Sequence, residues 1–425
     1  MGDSIIKDLA QLAGATDTTN GSWLVSFANE LGVTSPVNGS WWEAIGLDLG
    51  LTAVNGSWIQ AIAIHYGATD PVNGSWLQAL YDNISFTAAP VNTVAPAISG
   101  TAQVGSTLTC SQGTWTGTAP ITYAYQWKRN GSNIGSATNS TYLLVAADAS
   151  TTVSCTVTAT NADGSASANA TGVSVTFETD AQAFITAASI TDATQQGAVN
   201  QLVVDLKAAS IWTKMKRIYP MVGGTADKHK YDLKSLSTGT FNGGWVHSAT
   251  GALPNDVNGY FDTDFNASTL TANSTHLSFY SRTNSGNNGS DIGAFLGSDY
   301  LRLSIALGGT CRSNQYNETN GRIDATAADR RGFFVATRPS NSSHKVFRNG
   351  SSIGSDTNST SLGTLSNVNG TIYIGAAHWI NAASPDQYSD RECAFASIGD
   401  GLSDADVTAF NTAVATFQTT LSRNV

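Results

Sequence analysis

Apolar and polar residues alternate with a period of two over much of the chain beyond residue 98. Such alternation predicts β-strands with one buried face and one solvated face. In ITYAYQW it places Tyr123, Tyr125 and Trp127 on one side of a strand. The strands predicted in this way are STLTC, ITYAYQW, TYLLV, TVSCTVTAT and TGVSVTF, followed after residue 180 by HLSFYSRT, YLRLSIAL, GFFVATR, HKVFRNG, TIYIGA and CAFASIG. The fold class is therefore predicted to be mostly β.

A different pattern occupies the first 88 residues, where the motif NGSW occurs four times with spacings of 18, 17 and 18 residues. Each unit predicts one short helix that begins at an Asn or Ser N-cap and ends near a glycine. Helices of about ten residues are marginal alone, so neighbouring units are expected to stack their apolar faces. The predicted core of this small all-α repeat region consists of Trp23, Trp41, Trp58 and Trp76.

The chain is predicted to contain three domains, with boundaries at 1–88, 89–178 and 179–425. A proline-containing linker, Thr87–Gly100, separates the repeats from the first group of strands. Two further helices are predicted in the C-terminal part, the first at Gln196–Ala209. The second begins at a capping box and shows an apolar stripe at helical spacing, made of Val407, Phe410, Val414, Phe417 and Leu421.

The amino-acid composition limits the kinds of partner and the cell compartment that can be expected for this protein. Charged residues make up only 12% of the chain and the formal net charge is −10, which gives no support for nucleic-acid binding. No apolar run is long enough to cross a bilayer, and we expect no membrane insertion. The N-terminus shows no recognisable export signal, although the composition is typical of extracellular adhesins. A virion protein satisfies both conditions, because it is made in the host cytoplasm and released by lysis.

Cys110, Trp127 and Cys155 follow the Cys…Trp…Cys order of immunoglobulin-like sandwiches. The segment PAISGTAQVGSTLTCSQGTWTG…YQWKRNGSNIG…TVTATNADGSA resembles the immunoglobulin-like modules inserted in phage structural proteins. The resemblance implies that the two cysteines face each other across the sheets, as a candidate disulfide, with the tryptophan packed against them. It also implies a role in display or weak surface adhesion. Val153 departs from the pattern, because a tyrosine usually stands two residues before the second cysteine.

The C-terminal part resembles concanavalin A-like, laminin-G-type domains of phage tail and virion proteins. The resemblance rests on KRIYPMVGGTADKHKYDLKS, NGYFDTDFN, THLSFYSRTN, HKVFRNG, TIYIGAAHW and the stretch from Arg391 to the C-terminus. It implies a two-sheet jelly roll, and it implies carbohydrate binding only weakly, since many such domains are structural. The NGSW array is similar to arrays near the N-termini of some phage virion proteins, which implies attachment to other virion proteins.

One segment occurs twice. Arg129–Thr141 and Arg348–Thr360 agree at 11 of 13 positions, and both contain Asn-Gly. Because Asn-Gly favours the type I′ turn of a two-residue hairpin, both predicted sandwiches are expected to use the same hairpin. We infer no function from this repetition.

The sequence contains only incomplete versions of two catalytic motifs. Gly350–Gly354 matches GxSxG around Ser352, but a nucleophile elbow needs a helix after the serine, and a strand is predicted there. A glycosidase needs two carboxylates that flank the scissile bond. The five glutamates form no such cluster, and Asp390 with Glu392 is a weak pair. We expect no enzymatic activity and no cofactor.

Asp262, Asp264 and Asn266 place oxygen side chains at alternate positions, as calcium loops do. The glycine and the final glutamate of an EF-hand are missing. A bound calcium ion is one interpretation of this motif, and a solvated turn is the other.

The loop Ala376–Ser389 combines one aromatic ring with several hydrogen-bonding side chains. A sugar site needs that combination, because the ring packs on the C–H face while polar groups select hydroxyls. The candidate ligand-binding residues are His378, Trp379, Asn381, Asp386 and Tyr388. The alternative is a hairpin with a buried tryptophan.

Together these observations predict a structural protein of a tailed-phage virion surface, of fibre or decoration type and present in many copies, with homo-oligomerisation left open. Its N-terminal repeats would contact other virion proteins, and its sandwiches would contact host-surface glycans. Three alternatives remain open: a purely structural head, neck or tail decoration protein without a ligand, a secreted carbohydrate-binding module, and a glycan depolymerase, which the missing carboxylate cluster disfavours.

Overall fold

The computed structural model describes residues 57–65, 88–296, 299–316, 322–357, 370–379 and 385–425, with eight single positions among the first 68 residues. The described part of the chain is mostly β, which confirms the predicted fold class. The chain divides into two compact units. One consists of residues 1–95, 113–124 and 158–168, and the other of residues 96–112, 125–157 and 169–425. The three predicted domain boundaries stay predictions.

Within the N-terminal repeats, the structure describes helix α1, Trp58–His65, which begins at the tryptophan of the third NGSW unit. The Ser57 Oγ accepts a hydrogen bond from Gln60 N at 3.2 Å, which is the type of N-cap that the motif predicts. Ile62 is buried in this helix. The single positions that are also helical are Ala10, Leu24, Val25, Ala28, Trp41, Trp42 and Ile45.

The first sandwich is built from ten short strands between residues 91 and 174. Their bounds are β1 Val91–Val94, β2 Ile98–Ser99, β3 Thr107–Cys110, β4 Thr114–Thr116, β5 Thr122–Arg129, β6 Ser132–Asn133, β7 Thr141–Leu143, β8 Thr152–Asn161, β9 Gly164–Asn169 and β10 Val173–Ser174. One sheet has the order β10-β8-β5-β6, with β9 paired to β8; β2-β3-β7 and β1-β4 form smaller sheets.

Trp127 on β5 lies at the centre of the first sandwich and is fully buried. Its ring stacks on Tyr142 with a centroid distance of 5.6 Å, and its Nε1 donates a hydrogen bond to the Asn139 carbonyl at 2.9 Å. Cys110 on β3 and Cys155 on β8 are buried as well. The strand alternation seen in the sequence therefore gives the expected buried face.

The second sandwich contains the remaining described strands. Their bounds are β11 Met215–Tyr219, β12 Thr240–Asn242, β13 Trp245–Ser248, β14 Gly251–Pro254, β15 Tyr260–Asn266, β16 Thr275–Ser281, β17 Ile292–Leu296, β18 Asp299–Leu307, β19 Thr310–Gln315, β20 Ile323–Ala325, β21 Gly332–Ser340, β22 Ser343–Arg348, β23 Ser351–Asp356, β24 Thr371–Ile374, β25 His378–Trp379 and β26 Cys393–Gly399.

These strands form two sheets that enclose one core. The helix-side sheet has the order β13-β14-β26-β16-β21-β22-β23, with β11 paired to β26. The loop-side sheet has the order β12-β15-β24-β17-β18-β19-β20, with β25 paired to β17. Both sheets contribute to a single hydrophobic cluster, whose members include Phe261, Leu277, Phe279, Ile292, Leu301, Leu303, Phe334, Ile374 and Ile398.

Among the described residues, four α-helices accompany the second sandwich, and their bounds are α2 Thr179–Ala187, α3 Ala193–Ala208, α4 Ala226–His229 and α5 Asp404–Thr420. The predicted Gln196–Ala209 helix begins earlier than expected, because the Asp192 side chain caps it by accepting from Gln195 N. Helix α2 was not predicted. The C-terminal prediction is confirmed, since Ser403 and Asp406 form the capping box of α5.

Helix α5 covers the outer face of the helix-side sheet. Its Phe410 ring lies 5.0 Å from Phe333 and 5.9 Å from Phe395, and Phe417 lies 6.2 Å from Phe395. Strand β16 is consequently buried on both faces. The loop-side sheet carries no such helix in the described part of the chain, so its outer face is the one left to polar and aromatic side chains.

Both predicted Asn-Gly hairpins are confirmed. Asn130 and Gly131 have φ of 46° and 82°, and Asn349 and Gly350 have φ of 48° and 78°. Two successive positive φ angles are the type I′ signature. Ser352 lies in strand β23 and is exposed, so a strand follows the GxSxG motif where an elbow requires a helix.

Candidate functional site

A row of outward-facing residues runs across the loop-side sheet. Phe261, Ile292, Leu303 and Ile374 point into the core, so their strand neighbours point outward. Cross-strand pairing then places six residues side by side, in the order Thr240, Asp262, Tyr373, Gly293, Arg302 and Asn314.

Three tyrosines cluster at one end of this face. The rings of Tyr260 and Tyr373 lie 4.9 Å apart at an interplanar angle of 32°. Burial raises the pKa of Tyr388, and electrostatic interactions with Tyr260 and Asp386 raise it further, so Tyr388 lies near Tyr260. Tyr373 is buried, whereas Tyr260 and Tyr388 are half-buried.

Polar groups surround these rings. Asn242 lies directly across from Tyr260, and Asp262 directly across from Tyr373. The Asn242 Nδ2 donates to the Thr240 carbonyl at 3.1 Å. We call Tyr260, Tyr373, Tyr388, Asn242 and Asp262 the tyrosine face. Half-exposed rings beside amide and carboxylate groups can stack on a sugar ring and hydrogen-bond its hydroxyls.

The middle of the outer face is covered. Arg302 points outward but is only 2% exposed. Its Nε donates to Asn314 Oδ1 at 2.8 Å and its Nη1 donates to Gln387 Oε1 at 3.3 Å. The Gln387 side chain also accepts from Ser290 Oγ at 3.1 Å. The end of the Ala376–Ser389 loop therefore lies over Arg302.

A buried ion pair fixes the base of this loop. Arg391 and Asp291 are both fully buried, with Nη1 3.2 Å from Oδ1. The same carboxylate accepts from Ser389 Oγ at 2.7 Å and from Ile305 N at 2.6 Å. The second Arg391 Nη donates to the carbonyls of Ser285 and Asn287. The pair thus joins the loop to strand β18 and to the segment before β17.

The structure places the predicted loop residues only in part. Asp386 is exposed and Tyr388 belongs to the tyrosine face. His378 and Trp379 form strand β25, parallel to β17, but their side chains lie outside what the structure describes. Asn381 lies outside the described residues. The stacking role of Trp379 stays a prediction.

Sequence reasoning missed Tyr260 and Tyr373. Tyr373 stands at an outward position of the predicted strand TIYIGA, whereas Tyr260 stands in NGYFDTDFN, a stretch that was noted only for its resemblance to concanavalin-like domains. Their alternation with core residues was visible, but the antiparallel pairing of β15 with β24 that brings them together was not. Long-range strand pairing was therefore the missing information.

Asp262, Asp264 and Asn266 lie on strand β15 and its end. The Asp262 Oδ1 accepts from Asp264 N, and the Asn266 Oδ1 accepts from Ser268 N, both at 2.9 Å. These contacts close local turns. Among the described residues, no group of three or more His, Cys, Asp or Glu is arranged to hold a metal ion. The calcium hypothesis stays untested.

Cys110 and Cys155 are buried free thiols that contact each other in the first sandwich. Burial and, to a smaller extent, the neighbouring Cys155 raise the pKa of Cys110 to about 12. The facing arrangement is the one that the immunoglobulin-like resemblance implied. A disulfide between them stays a prediction.

Of the four repeat tryptophans, Trp41 is half-buried in a helical position. Trp23 and Trp76 lie outside the described residues, as does the side chain of Trp58. In the described part of the chain, no helix has the length and apolar character that a bilayer span requires.

No protein-family model and no curated protein matches the chain. Solved structures that are similar to it include a Trypanosoma rangeli sialidase with 2,3-difluorosialic acid, at TM-score 0.36 and 11% identity, covering 61% of this chain and 42% of that one. The carbohydrate-binding module CBM40 of the Ruminococcus gnavus IT-sialidase has TM-score 0.30 and 15% identity, covering 37% and 95%. The botulinum neurotoxin serotype D binding domain has TM-score 0.31 and 16% identity, covering 49% and 52%. Likenesses this low assign neither a family nor a ligand.

Proposed function

We propose that this chain is a non-enzymatic surface protein of a tailed-phage virion and that its second sandwich binds host-surface glycans through the tyrosine face. The observation that carries the glycan proposal is the contact between Tyr260 and Tyr373 on the sheet face that no described helix covers. Of the tyrosine face, the rings of Tyr260 and Tyr388 are half-exposed and have polar neighbours, which suits a sugar with an apolar and a hydroxylated side.

The test compares single variants of the full chain on a glycan array and on host cells. Tyr260→Ala should lower affinity at least about tenfold, or roughly 1.4 kcal/mol, because the stacking ring is lost. Tyr260→Phe should keep most of the binding, since the ring remains. Tyr123→Ala is the control, because Tyr123 is also half-buried but lies in the first sandwich. Equal binding by Tyr260→Ala and the wild type would contradict the proposal.

The virion role rests on the sequence. Four NGSW units at nearly constant spacing support a repeat array, and α1 shows that the third unit is helical as predicted. We infer that this array attaches the protein to other virion proteins in many copies. Deleting residues 1–88 should give a chain that is absent from purified particles, as measured by mass spectrometry. Normal incorporation of the shortened chain would place the attachment elsewhere.

A purely structural decoration role is the second candidate. The observation that favours it is the burial of Arg302, Ser304 and Asn314 on an outward-facing strand surface, which leaves much of that face closed. If the protein is purely structural, Tyr260→Ala, Tyr260→Phe and Tyr123→Ala should all bind host cells alike, and the substitutions should change only thermal stability.

A further inference from the structure

We propose that Gln387 and Gly289 are positioning residues of the tyrosine face, which fix Tyr388 near Tyr260 before a ligand arrives. This inference rests on the proposed glycan binding, and it adds two residues that need not touch the glycan. Tyr388 is the member of the tyrosine face that comes from a loop, whereas the other four stand on strands. A ring on a loop contributes fully to binding only if the loop already holds it in place, because ordering the loop on binding costs free energy.

Gln387 is bound through its side chain and through its main chain. Its Oε1 accepts hydrogen bonds from Ser290 Oγ at 3.1 Å and from Arg302 Nη1 at 3.3 Å. Its carbonyl oxygen accepts from Ser290 N at 2.7 Å. Arg302 in turn donates from Nε to Asn314 Oδ1 at 2.8 Å. The residue before Tyr388 is therefore attached to strand β18 and to the segment before β17.

The backbone at Gln387 has a conformation that a glutamine rarely adopts. Its φ is 51°, which lies in the left-handed region. Such a conformation persists only where the surrounding contacts impose it, and it is common at binding sites. It sets the direction in which the chain continues to Tyr388. The Tyr388 hydroxyl then donates to the Pro385 carbonyl at 2.7 Å, which fixes the ring against its own turn.

Ser389, on the other side of Tyr388, is fixed as well. Its backbone N donates to the Gly375 carbonyl at 2.8 Å, and its Oγ donates to Asp291 Oδ1 at 2.7 Å. Both chain neighbours of Tyr388 are thus anchored to the sandwich. The ring is therefore held in place without help from a ligand, which reduces the entropy lost on binding.

Gly289 allows the segment before β17 to lie directly against the main chain of Tyr388. It is buried, and a Cβ at this position would overlap the Tyr388 carbonyl group and lie 2.7 Å from Ser389 Cα. Because these are backbone atoms, a methyl group fits only if the main chain moves. Gly286 stands in the same segment and is exposed, and a Cβ there would meet nothing within 4 Å. The two glycines therefore give a matched pair of substitutions.

The first experiment measures binding of full-length variants to the glycan array and to host cells. Gln387→Met keeps the length of the side chain but removes the acceptor, so affinity should fall about three- to tenfold. Gln387→Glu keeps an acceptor for both donors and should bind like the wild type. Gly289→Ala should lower affinity about tenfold, and Gly286→Ala should leave it unchanged.

A double-mutant cycle distinguishes positioning of Tyr388 from a general loss of stability. Tyr388→Ala should lower affinity about tenfold in the wild type and in Gly286→Ala. In Gly289→Ala or Gln387→Met it should cost less than about threefold, because the displaced ring has already lost its contribution. Fully additive losses would overturn the positioning role while leaving glycan binding intact.

A second measurement needs no glycan. Nitration with tetranitromethane, read at each tyrosine by mass spectrometry, reports how accessible each phenol is. Tyr388 should react at least about threefold faster in Gly289→Ala and Gln387→Met than in the wild type, Gly286→Ala or Gln387→Glu, because its turn is released. Tyr123 of the first sandwich should react equally in all five proteins.

The two measurements distinguish the failure of each proposal. Equal nitration of Tyr388 in all five proteins would overturn the positioning role. Faster nitration in the two variants, with no glycan bound by any protein, would support the positioning role and overturn the proposed glycan binding. If Gly289→Ala does not fold, Gln387→Met and Gln387→Glu give the same decision.

Discussion

The same hairpin sequence occurs in both sandwiches and continues differently in each. Arg129–Thr141 and Arg348–Thr360 share 11 of 13 residues, and both open with a type I′ Asn-Gly turn. In the first sandwich the returning strand β6 ends at Asn133, whereas in the second β23 runs from Ser351 to Asp356. The turn is thus encoded locally, while the strand length depends on what the strand packs against.

Gly135 and Gly354, which occupy equivalent positions in the two hairpin segments, show why the strand lengths differ. A Cβ on Gly135 would meet nothing within 4 Å, whereas a Cβ on Gly354 would lie 2.6 Å from Ile323 Cγ2 and 3.2 Å from Ala325 Cβ. Strand β23 therefore lies against β20 of the opposite sheet. The corresponding segment of the first sandwich has no such neighbour at Gly135, and its chain turns at Ser136, whose φ is 60°.

The largest expected difference between the two sandwiches is their response to acid. The first sandwich contains no histidine, whereas the second buries His229 and His276. Burial lowers the pKa of His229 to about 3, with His247 Nδ1 only 3.0 Å from its Nδ1, and burial lowers the pKa of His276 to about 4. Both pKa values lie below the ordinary 6.5, so the unfolded chain takes up protons first as the pH falls.

Stability of the second sandwich should therefore be full above about pH 6.5 and decline below it, by on the order of 3 kcal/mol per histidine at pH 4. The two sandwiches can be followed separately through their buried thiols, Cys155 in the first and Cys393 in the second. Labelling in urea with a pyridyl disulfide, which reacts in acid, should expose Cys393 at lower urea at pH 4 than at pH 7. An equal shift for Cys155 would contradict the assignment to these histidines.

The next effect concerns the arginine that begins each hairpin. Arg129 Nε lies 2.7 Å from Asp148, which is fully buried and also accepts from Tyr142 Oη and Val145 N. Arg348 Nη2 lies 3.1 Å from Asp329, whose side chain is 37% exposed. Asp148→Ala should cost about 2–3 kcal/mol, because buried donors lose their acceptor.

Asp329→Ala should cost less than about 1 kcal/mol, since exposed ion pairs contribute little. Urea unfolding of both variants, followed by labelling of Cys155 and Cys393, measures the two values. Similar losses for the two variants would mean that burial does not distinguish these pairs.

Substitutions of the two equivalent glycines, Gly135 and Gly354, should change stability by a smaller amount and in opposite directions. Gly354→Ala should destabilise the second sandwich by about 1–3 kcal/mol, because the new methyl group overlaps Ile323. Gly135→Ala should be neutral or stabilise the first sandwich by less than about 1 kcal/mol, since it restricts the unfolded chain without a clash. Thermal unfolding of the full-length variants tests the signs, and a stabilising Gly354→Ala would refute the packing explanation.

The smallest effect on the free energy of unfolding is expected at a position where the two hairpin segments carry different residues. Asn133 and Ser352 occupy equivalent positions and both are exposed. Exchanging them, as Asn133→Ser and Ser352→Asn, should change the free energy of unfolding by no more than about 0.5 kcal/mol. A larger change in the urea midpoint of either variant would show that the hairpins are less equivalent than their turns indicate.

Local patterns predicted much of this fold. Alternation identified β5, β8, β16 and β21, Asn-Gly identified both turns, and the capping box identified α5. Helix α2 was missed because its short segment TDAQAFITA shows little apolar periodicity, and its cap is Glu178 rather than a commoner N-cap residue.

The candidate site was harder to predict, because it depends on which strands become neighbours. The loop was identified from its composition, and the role of Tyr388 as a candidate ligand-binding residue stays a prediction, although the structure places it near Tyr260. Tyr260 and Tyr373 meet only because β15 pairs with β24. The buried pair of Asp291 and Arg391 likewise joins distant segments, and an isolated Asp or Arg carries no sequence signal for it.

The two ends of the Ala376–Ser389 segment lie close together. Ser389 N donates to the Gly375 carbonyl at 2.8 Å, and Ala377 and Asp386 exchange two main-chain hydrogen bonds. Because the base is closed by these bonds and by a buried ion pair, the residues between can change without altering the closure. Doubling the length of a flexible loop costs only about 0.6 kcal/mol. The segment is therefore a natural insertion site, where one scaffold can acquire new loops, and new binding preferences, without a new fold.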